Sequence, residues 1–228
     1  MSEWALFDGN RVAGQLGEFI LSSKHVYVVD DDRDVRRSIS FMLGTGDVQS
    51  RPFASGPDLL DALPELQPGS LLLDIRMPEM NGFQVMCELA ARSIEWPVIV
   101  MTGHGEVSVA VRAMKLGAVD FLEKPFRDDM LRSSLDRAFK LLEERGQKSA
   151  KKRDAEERVG AMSARERDVL RGLMAGHSNK ELAQRLDISL RTIEMHRANM
   201  MDRLKVGNLA EALTLAVQAE LEPLEERR

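Results

Sequence analysis

Acidic side chains follow two separate apolar runs in the first half of the chain. Asp74 comes directly after the run 71–73, and the acidic cluster 30–32 comes directly after the run 26–29. If both runs are strands of an open parallel sheet, these carboxylates share the sheet edge where ligands bind. Mg²⁺ prefers oxygen ligands and keeps waters and phosphate oxygens in its shell. The pattern therefore predicts an acidic Mg²⁺ pocket in which a carboxylate could accept a phosphoryl group.

Two further predicted strands end in groups that suit the same chemistry. The run 97–101 leads into Thr102, and the run 119–123 leads into Lys124. A hydroxyl and an ammonium at one sheet edge could bind the same phosphoryl oxygens, and charge-assisted hydrogen bonds of this kind are strong. Thr102 and Lys124 are therefore predicted to complete the pocket.

The elements that must position these groups follow a regular alternation. The short β-type runs are residues 26–29, 48–53, 70–74, 97–101 and 119–123, and the helical patterns between them are residues 34–43, 56–63, 82–92, 106–116 and 128–145. Strands alternating with helices indicate βαβ units and a parallel sheet. Right-handed crossovers then place helices on both faces of a five-stranded sheet.

Residues 26–145 resemble the receiver domain of two-component response regulators. The resemblance lies in the acid pair after the first strand, the stretch LLLDIRMPEMNG, the loop MTGHG and the EKPF end of the fifth strand. Each motif alone is weak, but their order and spacing together are specific. The resemblance implies an α/β, flavodoxin-like receiver with Asp74 as the phospho-acceptor.

The same resemblance implies a role for each residue of the pocket. The metal site would comprise Asp31 as a direct Mg²⁺ ligand, Asp30 acting largely through water, Asp74, and the main-chain carbonyl of Arg76. Thr102 would be the switch hydroxyl and Lys124 the cation that pairs with phosphate. Phe121 resembles the aromatic switch position, although an aromatic side chain in a strand can equally be part of the core. Asp32 falls outside the acid pair and is predicted to be a helix N-cap.

The composition is typical of a globular chain and limits the class of protein to which it can belong. Of 228 residues, 43% are hydrophobic and 30% are charged. No apolar run is long enough for a membrane span, and the acidic start lacks the basic region of a signal peptide. The one cysteine, Cys87, excludes an intramolecular disulfide framework and is predicted to pack in a helix core. These features predict a cytoplasmic protein with no membrane partner.

The predicted domain organisation has four parts. They are an N-terminal extension (1–24), the receiver (25–145), a linker that could be helical (146–160) and a second small domain (161–222). The extension could be a small packed segment or a mobile arm. Residues 1–146 carry 16 basic and 23 acidic side chains, whereas residues 147–228 carry 16 basic and 14 acidic ones. The second half is therefore expected to meet a polyanion.

The second domain reads as a series of short helices with clear start signals. Ser163 with Glu166 and Ser178 with Glu181 form two capping boxes. After the second box come a short helix, a tight turn and a longer helix, an order that matches a helix-turn-helix motif. The stretch MSARERDVLRGLMAGHSNKELAQRLDISLRTIEMHRANMMDRLKV is similar to the four-helix DNA-binding domain of the LuxR type. Together with the receiver it resembles the FixJ-like (NarL/FixJ) response regulators.

Within the recognition helix, the predicted DNA contacts fall into two classes. Phosphate contacts, which fix register without reading sequence, are assigned to Arg191, Thr192, Arg197 and Lys205. Base contacts are assigned to Glu194, which could accept from cytosine, and to Met195 and Ala198, which could touch a thymine methyl. His196 could contact a phosphate or be half-buried and structural. Lys180 could contact a phosphate or remain solvated.

The sequence therefore indicates a transcription factor that is controlled by phosphorylation of Asp74. Its expected partners are a cognate sensor histidine kinase, double-stranded promoter DNA, a second copy of the chain upon phosphorylation, and RNA polymerase. Apart from autocatalysed phosphoryl transfer to Asp74 and its hydrolysis, no enzyme activity is expected. Two rivals are a constitutive DNA-binding protein with an idle receiver, which would lack a pocket residue, and a Mg²⁺-dependent phosphohydrolase, which would leave the second domain unexplained.

Overall fold

The computed structural model describes residues 24–44, 47–103 and 107–225. The predicted N-terminal extension lies outside these residues except for Lys24. The chain divides into two compact units, residues 1–144 and 145–228. The finer boundaries drawn from the sequence stay predictions.

The first unit is built around one sheet. Its strands are Lys24–Val29 (β1), Val48–Phe53 (β2), Ser70–Asp74 (β3), Val98–Thr102 (β4) and Asp120–Glu123 (β5). Its helices are Arg33–Leu43 (α1), Gly56–Ala62 (α2), Gly82–Ala91 (α3), Val107–Lys115 (α4) and the start of Asp128–Gly160 (α5). A 3₁₀ turn at Leu63–Glu65 follows α2. All neighbouring strands pair in parallel, in the order β2-β1-β3-β4-β5. The predicted five-stranded parallel α/β fold is confirmed.

Alternate residues of the central strands enter two separate cores. Successive side chains of a strand point to opposite faces, and β3 and β4 are buried at every position. Leu71 and Leu73 pack on one face with residues of α2 and α3, whereas Leu72 packs on the other face with residues of α1 and α5. Such double-sided burial explains why these strands are continuously apolar.

Local capping explains where α1 begins. The Asp32 side chain accepts hydrogen bonds from the main-chain amides of Asp34 and Val35. It thereby satisfies amides that the first turn of a helix leaves without partners. The predicted N-cap role of Asp32 is confirmed.

Helix α5 continues well beyond the first unit's core. Leu131, Leu135 and Ala138 are buried in the first unit, and Ala155 and Val159 are buried in the core of the second. The helix passes through Gly146 without a break. Glycine lowers helix stability by about 1 kcal/mol relative to alanine, and the surrounding Lys, Ala, Glu and Arg residues together with the packing of Ala155 and Val159 offset that cost.

The second unit consists of helices around a small core. After α5 come Ala164–Met174 (α6), Asn179–Leu186 (α7), Leu190–Leu204 (α8) and Leu209–Gln218 (α9). Both predicted capping boxes are present, at Ser163 with Glu166 and at Ser178 with Glu181. The buried side chains that join the helices are Val169, Leu170, Leu182, Ile193, Met200, Leu204 and Leu215.

The prediction that Cys87 packs in the core was wrong. Cys87 is exposed, although Met86 beside it and Leu89 are buried. The buried stripe of α3 is centred on Gly82, Met86 and Leu89, and Cys87 lies beyond its border. Among the described residues, no helix combines the length and apolar character that crossing a bilayer requires.

Candidate functional site

Three carboxylates meet at the carboxyl-terminal edge of the sheet. Asp30 and Asp31 follow β1, and Asp74 is the last residue of β3. One carboxylate oxygen from each lies within 4.8 Å of the others. Asp30 and Asp74 are buried, whereas Asp31 is exposed, so the cluster opens to solvent on one side. The predicted convergence of these residues therefore agrees with their positions in the fold.

The carboxylate cluster has the donor chemistry and the span that Mg²⁺ requires. An octahedral ion with Mg–O distances of about 2.1 Å has ligand oxygens about 3 to 4 Å apart. Oxygens that all lie within 4.8 Å of one another are close to this span. The exposed side of the cluster, at Asp31, leaves room for the waters that Mg²⁺ retains.

A cation of the chain already lies beside two of these carboxylates. The Lys124 Nζ atom is 2.5 Å from Asp30 Oδ2 and 3.2 Å from Asp74 Oδ1. Its main-chain amide donates to the carbonyl of Thr102 at 2.8 Å, and a cis peptide bond joins it to Pro125. Lys124 thus stands beside the predicted acceptor, where it could neutralise a phosphoryl group.

The environment of Asp74 disfavours its charged form. Burial raises the pKa of Asp74, the nearby Lys124 ammonium opposes this, and the negative charges of Asp30 and Asp31 raise it further. The net direction is upward. A cation added to the pocket would favour the ionised carboxylate, which is the nucleophilic form.

The predicted switch residues lie on the neighbouring strands. Thr102 is fully buried at the end of β4, one residue beyond Met101, which pairs with Asp74. Phe121 on β5 is half-buried and packs against the core that contains Leu73. Arg76 lies exposed in the loop after β3. The fold therefore brings Thr102 to the pocket edge, while the roles of Arg76 and Phe121 stay predictions.

A glycine allows the helix after the acceptor to approach the strand. Gly82 begins α3, and a Cβ atom placed there would lie 2.4 Å from the main-chain oxygen of Asp74. Any side chain at this position would collide with the acceptor strand. The Gly82 amide donates to the Ile75 carbonyl at 3.1 Å, which closes the loop between them.

One contact to the pocket was not anticipated from the sequence. Arg36, on α1, donates from Nη1 to the main-chain carbonyl of Asp30 at 2.6 Å. The spacing of six residues places Arg36 in the turn that follows the Asp32 cap. The sequence signal is weak, because Arg33 and Arg37 stand close by and only the fold shows which arginine turns back.

The candidate nucleic-acid interface is the exposed stripe of α8. Ile193, Met200 and Leu204 bury the opposite face of this helix. The predicted base-contacting residues Glu194, Met195 and Ala198 are exposed, as are Arg191, Lys205 and, on α7, Lys180. The order of α7 and α8 is that of a helix-turn-helix, in which the second helix enters the major groove.

Three of the predicted DNA contacts are partly engaged within the protein. The Thr192 hydroxyl lies 2.8 Å from the hydroxyl of Ser189, the N-cap of α8. Arg197 is half-buried and donates to Asn179 Oδ1 at 3.2 Å. His196 is also half-buried. These three positions therefore have structural contacts in addition to any contact with DNA.

Asn199 belongs to the same exposed stripe and was not predicted. It lies four residues after Met195, on the same side of α8, and it is exposed. Helical spacing was the signal that could have identified it, since residues four apart share a face. An asparagine amide can bond an adenine edge.

Two family models match the chain, one in each unit. Residues 26–136 match the response regulator receiver domain, and residues 161–216 match the bacterial regulatory proteins of the luxR family. Receiver domains generally bind Mg²⁺ at an acidic pocket, and the aspartate cluster occupies that place here.

Curated relatives and solved structures cover both units at once. The chain is 44% identical over 195 residues to the transcriptional regulatory protein FixJ of Bradyrhizobium diazoefficiens, covering 86% of this chain and 95% of that protein. It is 40% identical over 192 residues to FixJ of Rhizobium meliloti, covering 84% and 94% of the two chains.

Two solved structures that cover most of the chain agree with these relatives. The response regulator StyR aligns with a TM-score of 0.75 at 34% identity, covering 86% of this chain and 99% of that one. Full-length FixJ from B. japonicum aligns with a TM-score of 0.54 at 42% identity, covering 88% and 98%. The acidic sheet edge, the helix-turn-helix and these relatives together place the chain among the FixJ-like response regulators, transcription regulators that join a receiver to a LuxR-type DNA-binding domain.

Proposed function

We propose that Mg²⁺-dependent phosphorylation of Asp74 by a sensor histidine kinase switches this protein between states of different dimerisation and promoter binding. The observation that carries the proposal is the single pocket in which the carboxylates of Asp30, Asp31 and Asp74 lie within 4.8 Å of one another and Lys124 lies 3.2 Å from Asp74. A carboxylate surrounded by negative charge repels phosphate unless cations share the site. Lys124 supplies one of these cations, and Asp30, Asp31, Asp74 and the carbonyl of Arg76 would hold the other.

In the proposed transfer, an Asp74 carboxylate oxygen attacks the phosphorus of the donor phosphohistidine. A P–O bond forms, the P–N bond breaks, and the imidazole leaves with a proton from solvent. Bound Mg²⁺ would neutralise charge on the transferred phosphoryl oxygens. Lys124 pairs with one of these oxygens, and the Thr102 hydroxyl donates to another. Hydrolysis of the acyl phosphate returns Asp74 to its starting form.

The proposed output runs from Thr102 to the face formed by α4, β5 and the first part of α5. Helix α4 presents Val107, Val111 and Met114, which are 77%, 47% and 51% exposed and follow helical spacing. Exposed apolar stripes of this kind suit protein interfaces. Movement of Thr102 toward a phosphoryl group would alter the start of this face, and Phe121 on β5 would follow it. We therefore assign this face to homodimerisation.

Two second units in a dimer would bind two DNA half-sites. The exposed stripe of α8 would enter the major groove, with Glu194, Met195 and Ala198 facing bases. The phosphate contacts would come from Arg191, Thr192, Arg197 and Lys205, with His196 and Lys180 at the margins of the interface. Contact with RNA polymerase would follow promoter binding.

The experiment that tests this function combines phosphorylation with a matched variant. The full chain is incubated with Mg²⁺ and a small phosphodonor, and intact mass is measured for the parent, for Asp74→Asn and for the exposed control Asp61→Asn. One phosphate adduct is expected on the parent and on Asp61→Asn, and none on Asp74→Asn. An adduct on Asp74→Asn would place the acceptor elsewhere.

The same mixture separates the rival functions. A stable adduct supports the regulator, and absence of any adduct on the parent supports an idle receiver that binds DNA constitutively. Continuous release of phosphate at many turnovers supports a phosphohydrolase. Sedimentation velocity before and after phosphorylation then shows whether the adduct changes the oligomeric state.

A further inference from the structure

Arg36 reaches back from α1 to the loop that carries the acidic pair. Its Nη1 atom donates to the main-chain carbonyl of Asp30 at 2.6 Å, and its own main-chain amide donates to the Asp32 carbonyl at 3.1 Å. Arg36 is half-buried, whereas its neighbour Arg37 is exposed. Arg36 is thus anchored at one end in the first turn of α1 and at the other on the peptide that joins Asp30 to Asp31.

Every polar atom of Asp30 has a partner in this arrangement. Its amide donates to the Phe53 carbonyl at 3.2 Å, its Oδ1 accepts from the Asp32 amide at 3.0 Å, and its Oδ2 lies 2.5 Å from Lys124 Nζ. The carbonyl bonded by Arg36 belongs to the peptide plane that precedes Asp31. Because that plane is rigid, holding its carbonyl also fixes the amide nitrogen and the Cα atom of Asp31, from which the Asp31 side chain extends.

We propose that Arg36 is a positioning residue for the metal pocket: its hydrogen bond to the Asp30 carbonyl orients Asp30 and Asp31 for Mg²⁺. The proposal rests on the proposed Mg²⁺-dependent function of the same pocket. Asp31 is the exposed carboxylate of the cluster, whereas Asp30 and Asp74 are buried. Groups that orient the ligands of a metal ion affect its affinity without touching the ion.

If Arg36 acted only through its charge, its removal would change the Mg²⁺ affinity in the opposite direction. A guanidinium near the pocket repels Mg²⁺, so removal of its charge alone would strengthen metal binding, modestly because salt and solvent screen the interaction. Removal of a positioning contact weakens binding. Arg37 provides the matched control, since it carries the same charge one residue later on the exposed side of α1.

The experiment titrates Mg²⁺ into the full-length protein by isothermal calorimetry. The proteins compared are the parent, Arg36→Gln, Arg36→Lys and Arg37→Gln, and circular dichroism melting checks that each is folded. Arg36→Gln is expected to weaken Mg²⁺ binding about tenfold. Arg37→Gln is expected to leave it unchanged or to strengthen it by about twofold at most. Arg36→Lys, which keeps one donor and the charge, is expected to fall between the parent and Arg36→Gln.

A second readout separates positioning from a general loss of structure. With a small phosphodonor, Arg36→Gln should need about tenfold more Mg²⁺ for half-maximal phosphorylation, yet reach nearly the parental rate when Mg²⁺ is saturating. Equal Mg²⁺ affinity in the parent and in folded Arg36→Gln would overturn the proposal, as would stronger binding in Arg36→Gln. Absence of Mg²⁺ binding by the parent would instead overturn the proposed function.

Discussion

The Lys124 ammonium nitrogen lies 2.5 Å from a carboxylate oxygen of Asp30, closer than it lies to Asp74. The Asp30 side chain is 1% exposed and that of Lys124 is 18% exposed. This ion pair is therefore largely shielded from water. The pocket therefore already contains the Lys124 ammonium, and a metal ion would bind close to this positive charge.

We expect Lys124→Gln to lower stability and at the same time to strengthen Mg²⁺ binding. Without the ammonium, the buried Asp30 carboxylate loses its charged partner, a loss that should cost about 2 kcal/mol. Mg²⁺ would then meet less repulsion in the pocket. Thermal melting with and without Mg²⁺ measures both effects, and the exposed Lys140→Gln serves as the control. A variant that is as stable as the parent without Mg²⁺ would contradict the importance of this ion pair.

Thr102→Ala should uncouple phosphorylation from its output. Asp74, Lys124 and the carboxylate cluster remain, so the variant should still gain one phosphate by intact mass. The hydroxyl that would follow the phosphoryl group is absent, and most of the gain in dimerisation should be lost. Sedimentation velocity of the phosphorylated variant checks this. Dimerisation equal to that of the phosphorylated parent would exclude Thr102 as the coupling residue.

Arg197→Ala and Glu194→Ala should weaken DNA binding in different ways. Arg197→Ala removes a phosphate contact, so affinity should fall on all sequences and the slope of log affinity against log salt should flatten by about one unit. Glu194→Ala should preserve the slope and lose about 1–3 kcal/mol of discrimination at one base pair. Binding titrations at several salt concentrations, on a site selected from random DNA and on its single-base variants, measure both.

The contact between Arg197 and Asn179 requires a control of its own. Asn179→Ala removes the 3.2 Å hydrogen bond and keeps the arginine charge. If Asn179→Ala reproduces the whole effect of Arg197→Ala, then the arginine acts by holding α7 to α8, and the assigned phosphate contact is incorrect.

Asp120→Asn should destabilise the first unit in a pH-dependent way. Burial raises the pKa of Asp120, but hydrogen bonds from Ser134, the Phe121 amide and Arg137 together outweigh it and leave the pKa below its ordinary value of 3.8. The carboxylate is therefore more stable in the folded than in the unfolded chain. Its contribution, about 1–2 kcal/mol once solvent screening of the half-buried side chain is allowed for, is present above about pH 4 and is lost as the pH falls through the lowered pKa.

Denaturant unfolding of the parent and of Asp120→Asn between pH 7 and pH 3 measures this contribution. The stability difference should be constant from pH 7 to about pH 5 and should shrink below about pH 4. A difference that grows on acidification would mean that the carboxylate does not carry the stabilising charge.

The alternation of strands and helices was sufficient to predict the fold class, because β3 and β4 are buried on both faces and read as uninterrupted apolar runs. The convergence of Asp30, Asp31 and Asp74 followed from parallel strands ending at one edge. Arg36 and Cys87 show where such reasoning stops. The direction of a side chain depends on its rotamer and on the neighbouring elements. The spacing of residues in the sequence determines neither of these.

The length of α5 shows a different limit. The sequence predicted a helix to residue 145 and left open whether the linker 146–160 continues it, and in the structure the helix ends at Gly160. Packing of Ala155 and Val159 in the second core outweighs the local preference of one glycine. Helix propensities along the sequence do not include this packing contribution.

The strand that carries Asp74 contains three consecutive leucines, all fully buried. A slip of β3 by one position would exchange leucine for leucine at two of these three positions and bring Asp74 or Ser70 to the third, so apolar burial among the leucines themselves penalises misalignment weakly. The penalty comes from the two ends of the strand, where Ser70 bonds the Pro97 carbonyl and Gly82 admits the main chain of Asp74. The residues around the acceptor thus also keep β3 in its correct register. Substitutions there should therefore impair correct folding as well as signalling.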